Sequence, residues 1–220
     1  MDGLASSGQQ HSGTMKREET IKSRKMMFIN NGHIVFSVFE TGNLKDIEFF
    51  LREKKQNNYN LFYDKLDIEK DIIIKRGGAH FPKAIFFKPK LIDVIVQYSN
   101  YEDGLISLST QISNNLNEPF YQFSFSNPDC LDKKFSMERY TNGEISRVVY
   151  VMQDPKWKFY EQGEILSFED ITNYEKKRIP SRLSKEIIIE YCARLGFEIT
   201  SNNFWESAES AFFYECISWK

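Results

Sequence analysis

The chain has 220 residues, of which 41% are hydrophobic and 15% aromatic, and this composition predicts a protein that folds around its own core instead of a disordered one. Lysine and arginine number 29 against 31 aspartate and glutamate, so the net charge is −2 and the basic excess typical of nucleic-acid-binding domains is missing. No segment approaches the ~18 consecutive apolar residues that a membrane span requires. The composition therefore disfavours nucleic acid and membranes as partners.

The cysteines and the first residues indicate the cellular compartment. Cys130, Cys192 and Cys216 are widely spaced, with no C-x-x-C pair, which is typical of reduced thiols in a cytosolic protein. Residues 1–15 are mostly small and polar, which predicts a disordered leader, or a tag remnant with Met15 as the natural start. We therefore expect a cytoplasmic protein without a signal peptide or an obligatory disulfide.

The first half of the chain predicts a β-β-α opening. After a mixed-charge arm over residues 16–25, aromatic and β-branched residues flank the sequence Asn-Asn-Gly at 30–32, which indicates a hairpin between Met26 and Thr41. Asn43 can cap a helix that extends to about Lys55, because apolar residues recur there at spacings of three and four.

The next segment predicts further strands and a second helix. One or two strands are expected over 61–75 and another over 81–88, with Gly77 and Gly78 in a turn between them. Residues 91–98 form an apolar run that fits either a strand or a buried helix. Apolar residues at helical spacing predict a helix over 101–115.

A β-meander follows. Aromatic and small polar residues alternate from Phe120 to Ser126, as in a half-buried strand, and a second strand covers 135–140. Asn142-Gly143 favours a tight reversal into a third, central strand over 145–152, and a fourth covers 157–162.

The last part of the chain predicts more helix and a closing strand. Residues 168–177 form a short helical piece, and Ser181 or Ser184 caps a helix over 185–195 that Gly196 ends. Alternation from Ala211 to Trp219 predicts a strand that docks back on the sheet. The predicted fold is α+β, a largely antiparallel sheet with three to four helices packed on it. Residues 16–220 make a single domain, with a possible sub-boundary near 98–103.

The residue types that carry catalysis do not assemble into a recognisable pattern. His33 and His80 lack the spacing and the carboxylate neighbours of a metal motif, and turn or strand-edge roles suit them better. Cys192 and Cys216 fall in apolar stretches that predict core positions, while Cys130 lies in a loop without an adjacent histidine. We therefore expect no catalytic, cofactor-binding or metal site.

Aromatic and acidic residues gather where the meander ends. Trp157 and Phe159 are best explained as core residues, because alternate aromatics in a strand usually pack inward. Aromatic and acidic side chains also occur at protein interfaces that receive a basic partner. The candidate partner-binding residues are Tyr160, Glu161, Glu164, Glu169 and Asp170.

One layout of short motifs resembles a known class of proteins. It comprises Gly143 and Arg147, the run Trp157 to Gly163, Phe168-Glu169, Tyr174, Arg182-Leu183, and Tyr191 to Gly196. This layout is similar to that of bacterial immunity proteins of polymorphic toxin systems, of the type VI secretion or contact-dependent inhibition type.

The resemblance implies a non-enzymatic inhibitor that binds and neutralises a cognate bacterial toxin domain. If that toxin acts on nucleic acid, its cleft is basic, and acidic side chains of the inhibitor steer association. Two alternatives stay open: an enzyme of unrecognised class, and a structural or phage-related assembly protein. The sequence also leaves open the oligomeric state and the surface that binds the toxin.

Overall fold

One antiparallel sheet of nine strands organises the part of the chain that the structure describes. The structure is a computed structural model, and it describes residues 33–40, 43–54, 58–68, 80–127 and 129–218. The strands are β1 (His33–Phe39), β2 (Tyr59–Asp64), β3 (Lys83–Phe87), β4 (Ile95–Ser99), β5 (Phe120–Ser126), β6 (Lys134–Thr141), β7 (Glu144–Asp154), β8 (Lys156–Gly163) and β9 (Ala211–Cys216). The helices are α1 (Leu44–Glu53), α2 (Ile106–Leu116), α3 (Lys185–Arg194) and α4 (Asn202–Trp205). The predicted α+β class with a largely antiparallel sheet is confirmed.

The strand order is β2-β9-β3-β4-β1-β5-β6-β7-β8. Strand β1 therefore lies at the centre, and β2 and β8 are the two edges of the described sheet. The suggested sub-boundary near 98–103 falls between β4 and α2, yet β1 pairs directly with β4 on one side and with β5 on the other. The sheet thus continues without a break across this position.

The meander is the part of the fold that the sequence predicts best. Strands β5, β6, β7 and β8 pair in that order, each with the next. The β6–β7 connection is the two-residue turn Asn142-Gly143, and both residues have positive φ, at 53° and 74°. That backbone conformation explains the choice of asparagine and glycine, which adopt it at little cost.

Strand β5 is more deeply buried than its alternating sequence predicts. All seven residues are buried instead of one face only. One face packs Tyr121 against the ring of Phe168. On the polar face, Gln122 Nε2 donates to the carbonyl oxygen of Asp103 at 3.0 Å, and Ser124 Oγ contacts a ring nitrogen of His33 at 3.2 Å. Both faces of this central strand are covered, so its polar side chains bond inside the protein and not to water.

The predicted caps and helices are largely found. Asn43 Oδ1 accepts a hydrogen bond from the Lys45 backbone at the start of α1, and Ser184 caps α3. In the ambiguous run over 91–98, residues 95–98 belong to strand β4 and none is helical. The predicted helical piece over 168–177 contains only a short 3-10 helix, Ile171–Asn173.

Several predictions fall outside the described residues. They are the leader, the charged arm, the first strand of the predicted hairpin with its turn, the Gly77-Gly78 turn, and Trp219 at the end of the predicted closing strand. Within the described part of that prediction the strand is β9, which ends at Cys216 and lies inside the sheet between β2 and β3.

Candidate functional site

The five candidate residues lie on β8 and on the segment that follows it. We call residues 164–175 the anchored segment. Strand β8 pairs with β7, and no other strand among the described residues pairs with it. The candidates thus lie at or beside one edge of the described sheet.

A buried arginine lies beneath this edge. Arg147 on β7 shares a sheet face with Val149 and Val151, and its exposure is 1%. Its Nη2 donates to Glu161 Oε2 at 2.8 Å, and its Nη1 donates to the carbonyl oxygen of Gly163 at 3.1 Å. Because Arg147 holds both a side chain and the backbone of β8, it fixes the end of the edge strand.

The main partner of this arginine is Glu169, whose side chain has 0% exposure. Arg147 Nε donates to Glu169 Oε1 at 3.0 Å, and Arg147 Nη2 donates to Oε2 at 2.7 Å. The carboxylate also accepts from the Leu166 backbone at 2.9 Å and from the Tyr174 hydroxyl at 2.6 Å. All four groups around Glu169 are donors, so both oxygens of its carboxylate are hydrogen-bonded inside the protein.

These contacts change the ionisation of the buried groups. Burial and the hydrogen bond to Glu169 raise the pKa of Tyr174 well above its usual value. For Arg147, burial lowers the pKa, but the hydrogen bonds to Glu169 and Glu161 outweigh that effect and raise it. The network therefore keeps a protonated tyrosine and a charged arginine together under the anchored segment.

This burial corrects one predicted role. Glu169 lies beneath the surface, where a partner cannot reach its carboxylate, so it is removed from the candidate surface. Glu161 is reachable, with a side-chain exposure of 36%, but its charge is already paired with Arg147. Two of the four candidate carboxylates therefore hold the local structure together.

Helix α3 anchors the segment from its other side. The Asp170 backbone N–H donates to the Tyr191 hydroxyl at 3.1 Å, and Arg194 Nη1 donates to the carbonyl oxygen of Phe168 at 2.8 Å. Asp170 Oδ1 accepts from both the backbone and the hydroxyl of Thr172 and caps the 3-10 helix. The hydrogen bonds from Thr172 lower the pKa of the Asp170 carboxyl.

The outer side of this assembly combines apolar and acidic side chains. Ile165 and Ile171 are about half exposed, at 48% and 50%. Glu164 and Glu175 are exposed as well. Tyr160 is 42% exposed, and its ring stacks on Tyr150 of β7 with the centroids 5.3 Å apart. The anchored segment is thus held firmly from within while it presents apolar surface outward.

No family model, curated protein or solved structure matches this chain. A proposal of function therefore uses the chain's own sequence, geometry and charge.

The start of β8 has the opposite charge character. Trp157 and the residues 177–181 line an open pocket of about 580 Å³ that includes Lys177 and Arg178. Trp157 and Phe159 are half-buried instead of belonging to the core, and the guanidinium of Arg182 lies over the Phe159 ring at 5.1 Å. The edge of the sheet is therefore basic at one end of β8 and acidic at the other.

The histidines and cysteines singled out in the sequence lie elsewhere. Both ring nitrogens of His33 contact serine hydroxyls of β5, and the ring of His80 packs on Tyr101. Cys192 is buried in α3, and burial raises the pKa of its thiol. Cys216 is buried in β9, and Cys130 is partly exposed.

Two further findings apply to the described residues only. Within them, no group of three or more histidine, cysteine, aspartate or glutamate side chains is placed to hold a metal ion. Over the same part of the chain, none of the helices has the length and apolar character needed to cross a bilayer.

Arg147, the central residue of the site, belongs to the motif layout of the sequence but was not among the predicted site residues. Arg147 shares the odd-numbered face of β7 with Val149 and Val151, and a charged residue on an otherwise apolar strand face indicates a buried partner. This alternation could have identified Arg147 as a buried charge. It could not have identified the partner, because Glu169 lies 22 residues away in a segment without regular structure.

Proposed function

We propose that this protein is a non-enzymatic inhibitor, an immunity protein that binds and neutralises a cognate bacterial toxin domain in the cytoplasm. The contact surface is the outer side of the anchored segment, with Ile165 and Ile171 as apolar contacts and Glu164, Asp170 and Glu175 around them. This proposal joins the motif layout of the sequence to the geometry of the edge of the sheet.

The observation that carries the proposal is the rigid presentation of exposed apolar side chains. Arg147 and Tyr191 hold the anchored segment from within, while Ile165 and Ile171 remain about half exposed. A segment that is ordered before binding loses less conformational entropy when a partner arrives. Exposed apolar side chains on a fixed backbone are suited to a protein partner with a complementary surface.

The charges favour a basic partner. Residues 159–175 contain five acidic residues and no lysine or arginine. Glu161 and Glu169 are paired with Arg147, which leaves Glu164, Asp170 and Glu175 to act outward. Toxin domains that act on nucleic acid need a basic cleft, and opposite charges on the inhibitor accelerate association at low salt.

The test uses the purified chain and the toxin domain encoded by the adjacent reading frame. Isothermal titration gives the affinity, and a toxin activity assay gives the inhibition. We expect the pair Ile165→Ser and Ile171→Ser to weaken binding by about tenfold or more. Glu175→Lys should slow association and reduce its salt dependence.

The matched control is Ile145→Ser, which removes an isoleucine of 55% exposure at the start of β7. It should leave binding unchanged. The proposal is overturned if the toxin domain does not bind, or if the two isoleucine replacements leave affinity and inhibition as they were in the parent protein.

A further inference from the structure

We propose that β8 is a self-association edge, where β8 of one copy pairs antiparallel with β8 of a second copy of this chain. The proposal goes beyond the toxin contact, because it concerns the strand edge and the side chains of β8 instead of Ile165 and Ile171. It rests on three observations: an open edge, a self-complementary charge pattern, and an exposed tyrosine that already takes part in a ring stack.

Within the described part of the chain, the outer edge of β8 is open. Strand β8 has eight residues, and its only strand partner among the described residues is β7. In an antiparallel pair every second residue directs its backbone N–H and C=O toward one neighbour, so about half of the backbone groups of β8 point away from β7. Six of the eight residues are exposed, the exceptions being Trp157 and Phe159.

The charges along this strand are complementary to those of a second copy that runs antiparallel to it. Lys156 and Lys158 lie at its start and Glu164 lies one residue past its end. All three are exposed, and none of them forms an ion pair with another described residue. Antiparallel pairing of two copies brings the basic start of each strand against the acidic end of the other, so opposite charges meet twice.

One pairing register places opposite charges across from each other and keeps opposite side chains on the same face of the sheet. Directly opposite residues of an antiparallel pair place their side chains on the same face of the sheet. Two copies of one strand can therefore pair only in registers in which one residue, the centre, lies opposite the same residue of the other copy. Centring on Tyr160 places Lys156 opposite Glu164 of the other copy and Lys158 opposite Gln162. Centring on Glu161 opposes two glutamates, and centring on Phe159 opposes Asp154 with Glu164.

The same register explains the exposure of Tyr160. Its ring stacks on Tyr150 within the chain. Opposite residues in an antiparallel pair lie about 5 Å apart, so Tyr160 of one copy meets Tyr160 of the other and the two stacks join into a row of four rings. Two of the residues that the sequence marks for partner binding, Tyr160 and Glu164, thereby acquire a role in self-association.

The experiment is sedimentation velocity on the full chain over about 1 µM to 1 mM, the range suited to a small interface. We expect a concentration-dependent dimer. Lys156→Glu alone and Glu164→Lys alone should each weaken self-association by about tenfold, because each creates two like-charge pairs. Glu198→Lys, an exposed charge reversal between α3 and α4, is the control and should change nothing.

Mixing the single variants tests the register. A mixture of Lys156→Glu and Glu164→Lys should regain the affinity of the parent chain, since both cross-strand pairs are then of opposite sign. A mixture of Lys158→Glu with Glu164→Lys should not, because Lys158 faces Gln162.

A monomer at every concentration overturns the proposal, as does a dimer that the single variants leave intact or that the first mixture fails to restore. None of these measurements involves the toxin, so this proposal and the proposed function fail separately.

Discussion

Replacing Glu169 with glutamine removes the charge of the buried carboxylate while it keeps the shape of the side chain. Oε1 accepts from Arg147 Nε and from the Leu166 backbone, and Oε2 accepts from Arg147 Nη2 and the Tyr174 hydroxyl. An amide offers one oxygen and one NH₂ group. Whichever way the glutamine is turned, its NH₂ faces an N–H group of Arg147, which can only donate.

The cost follows from burial. Removing one partner of a buried ion pair costs about 3–5 kcal/mol, because the remaining charge is left without compensation. Arg147 keeps Glu161 on Nη2, so part of its charge stays paired. We therefore expect Glu169→Gln to lower the free energy of unfolding by about 3 kcal/mol.

The measurement is urea unfolding followed by tryptophan fluorescence and circular dichroism. The matched control is Glu161→Gln, which affects the same arginine from a side chain that is 36% exposed and should cost less than about 1 kcal/mol. The double variant Arg147→Met with Glu169→Met should be less destabilised than the sum of its single changes, since no buried charge remains. If Glu169→Gln costs no more than Glu161→Gln, the reasoning about the buried network is wrong.

Two further predictions concern the backbone and the ionisation of buried groups. Gly163→Ala should destabilise the fold by about 2 kcal/mol or more in the same urea assay, because a Cβ there would lie 2.1 Å from the Ser146 carbonyl oxygen at a φ of +90°; unchanged stability would show that the end of β8 can move. Burial first, and then the nearby Glu40 carboxylate, raises the pKa of Tyr121 to about 12. Since an unfolded tyrosine titrates near about 10, the stability contributed by Tyr121 is complete below pH ~10 and is lost as the pH rises toward 12. Phenolate absorbance should show this late step, and Tyr121→Phe should lower its amplitude by one tyrosine, because burial also raises the pKa of Tyr63 to about 12; an unchanged late amplitude, with the loss falling near pH ~10, contradicts the assignment.

The elements that could be predicted from sequence are those that local chemistry determines. The Asn142-Gly143 turn, the Asn43 cap of α1 and the Ser184 cap of α3 each depend on residues within a few positions of one another. Turn geometry and capping leave a direct trace in the choice of residue. The same holds for the apolar stripe of α3.

The elements that could not be predicted depend on contacts between distant parts of the chain. Ser124 has the same sequence signature whether it faces water or, as here, the partly buried ring of His33, which lies 91 residues earlier in the chain. Glu169 likewise has the signature of a solvated acid and becomes internal only because the segment folds back onto Arg147. A polar residue on a strand face indicates exposure only where nothing covers that face.

The position of β9 has a consequence for the synthesis of the protein on the ribosome. Strand β2 pairs with β9 alone among the described residues, and β3 pairs with β9 and β4. Until residues 211–216 have left the ribosome, β2 has no strand neighbour and β3 presents an open edge. Because the pairing spans about 150 residues of chain, this end of the sheet forms last and exposes aromatic strands to nascent-chain chaperones in the meantime.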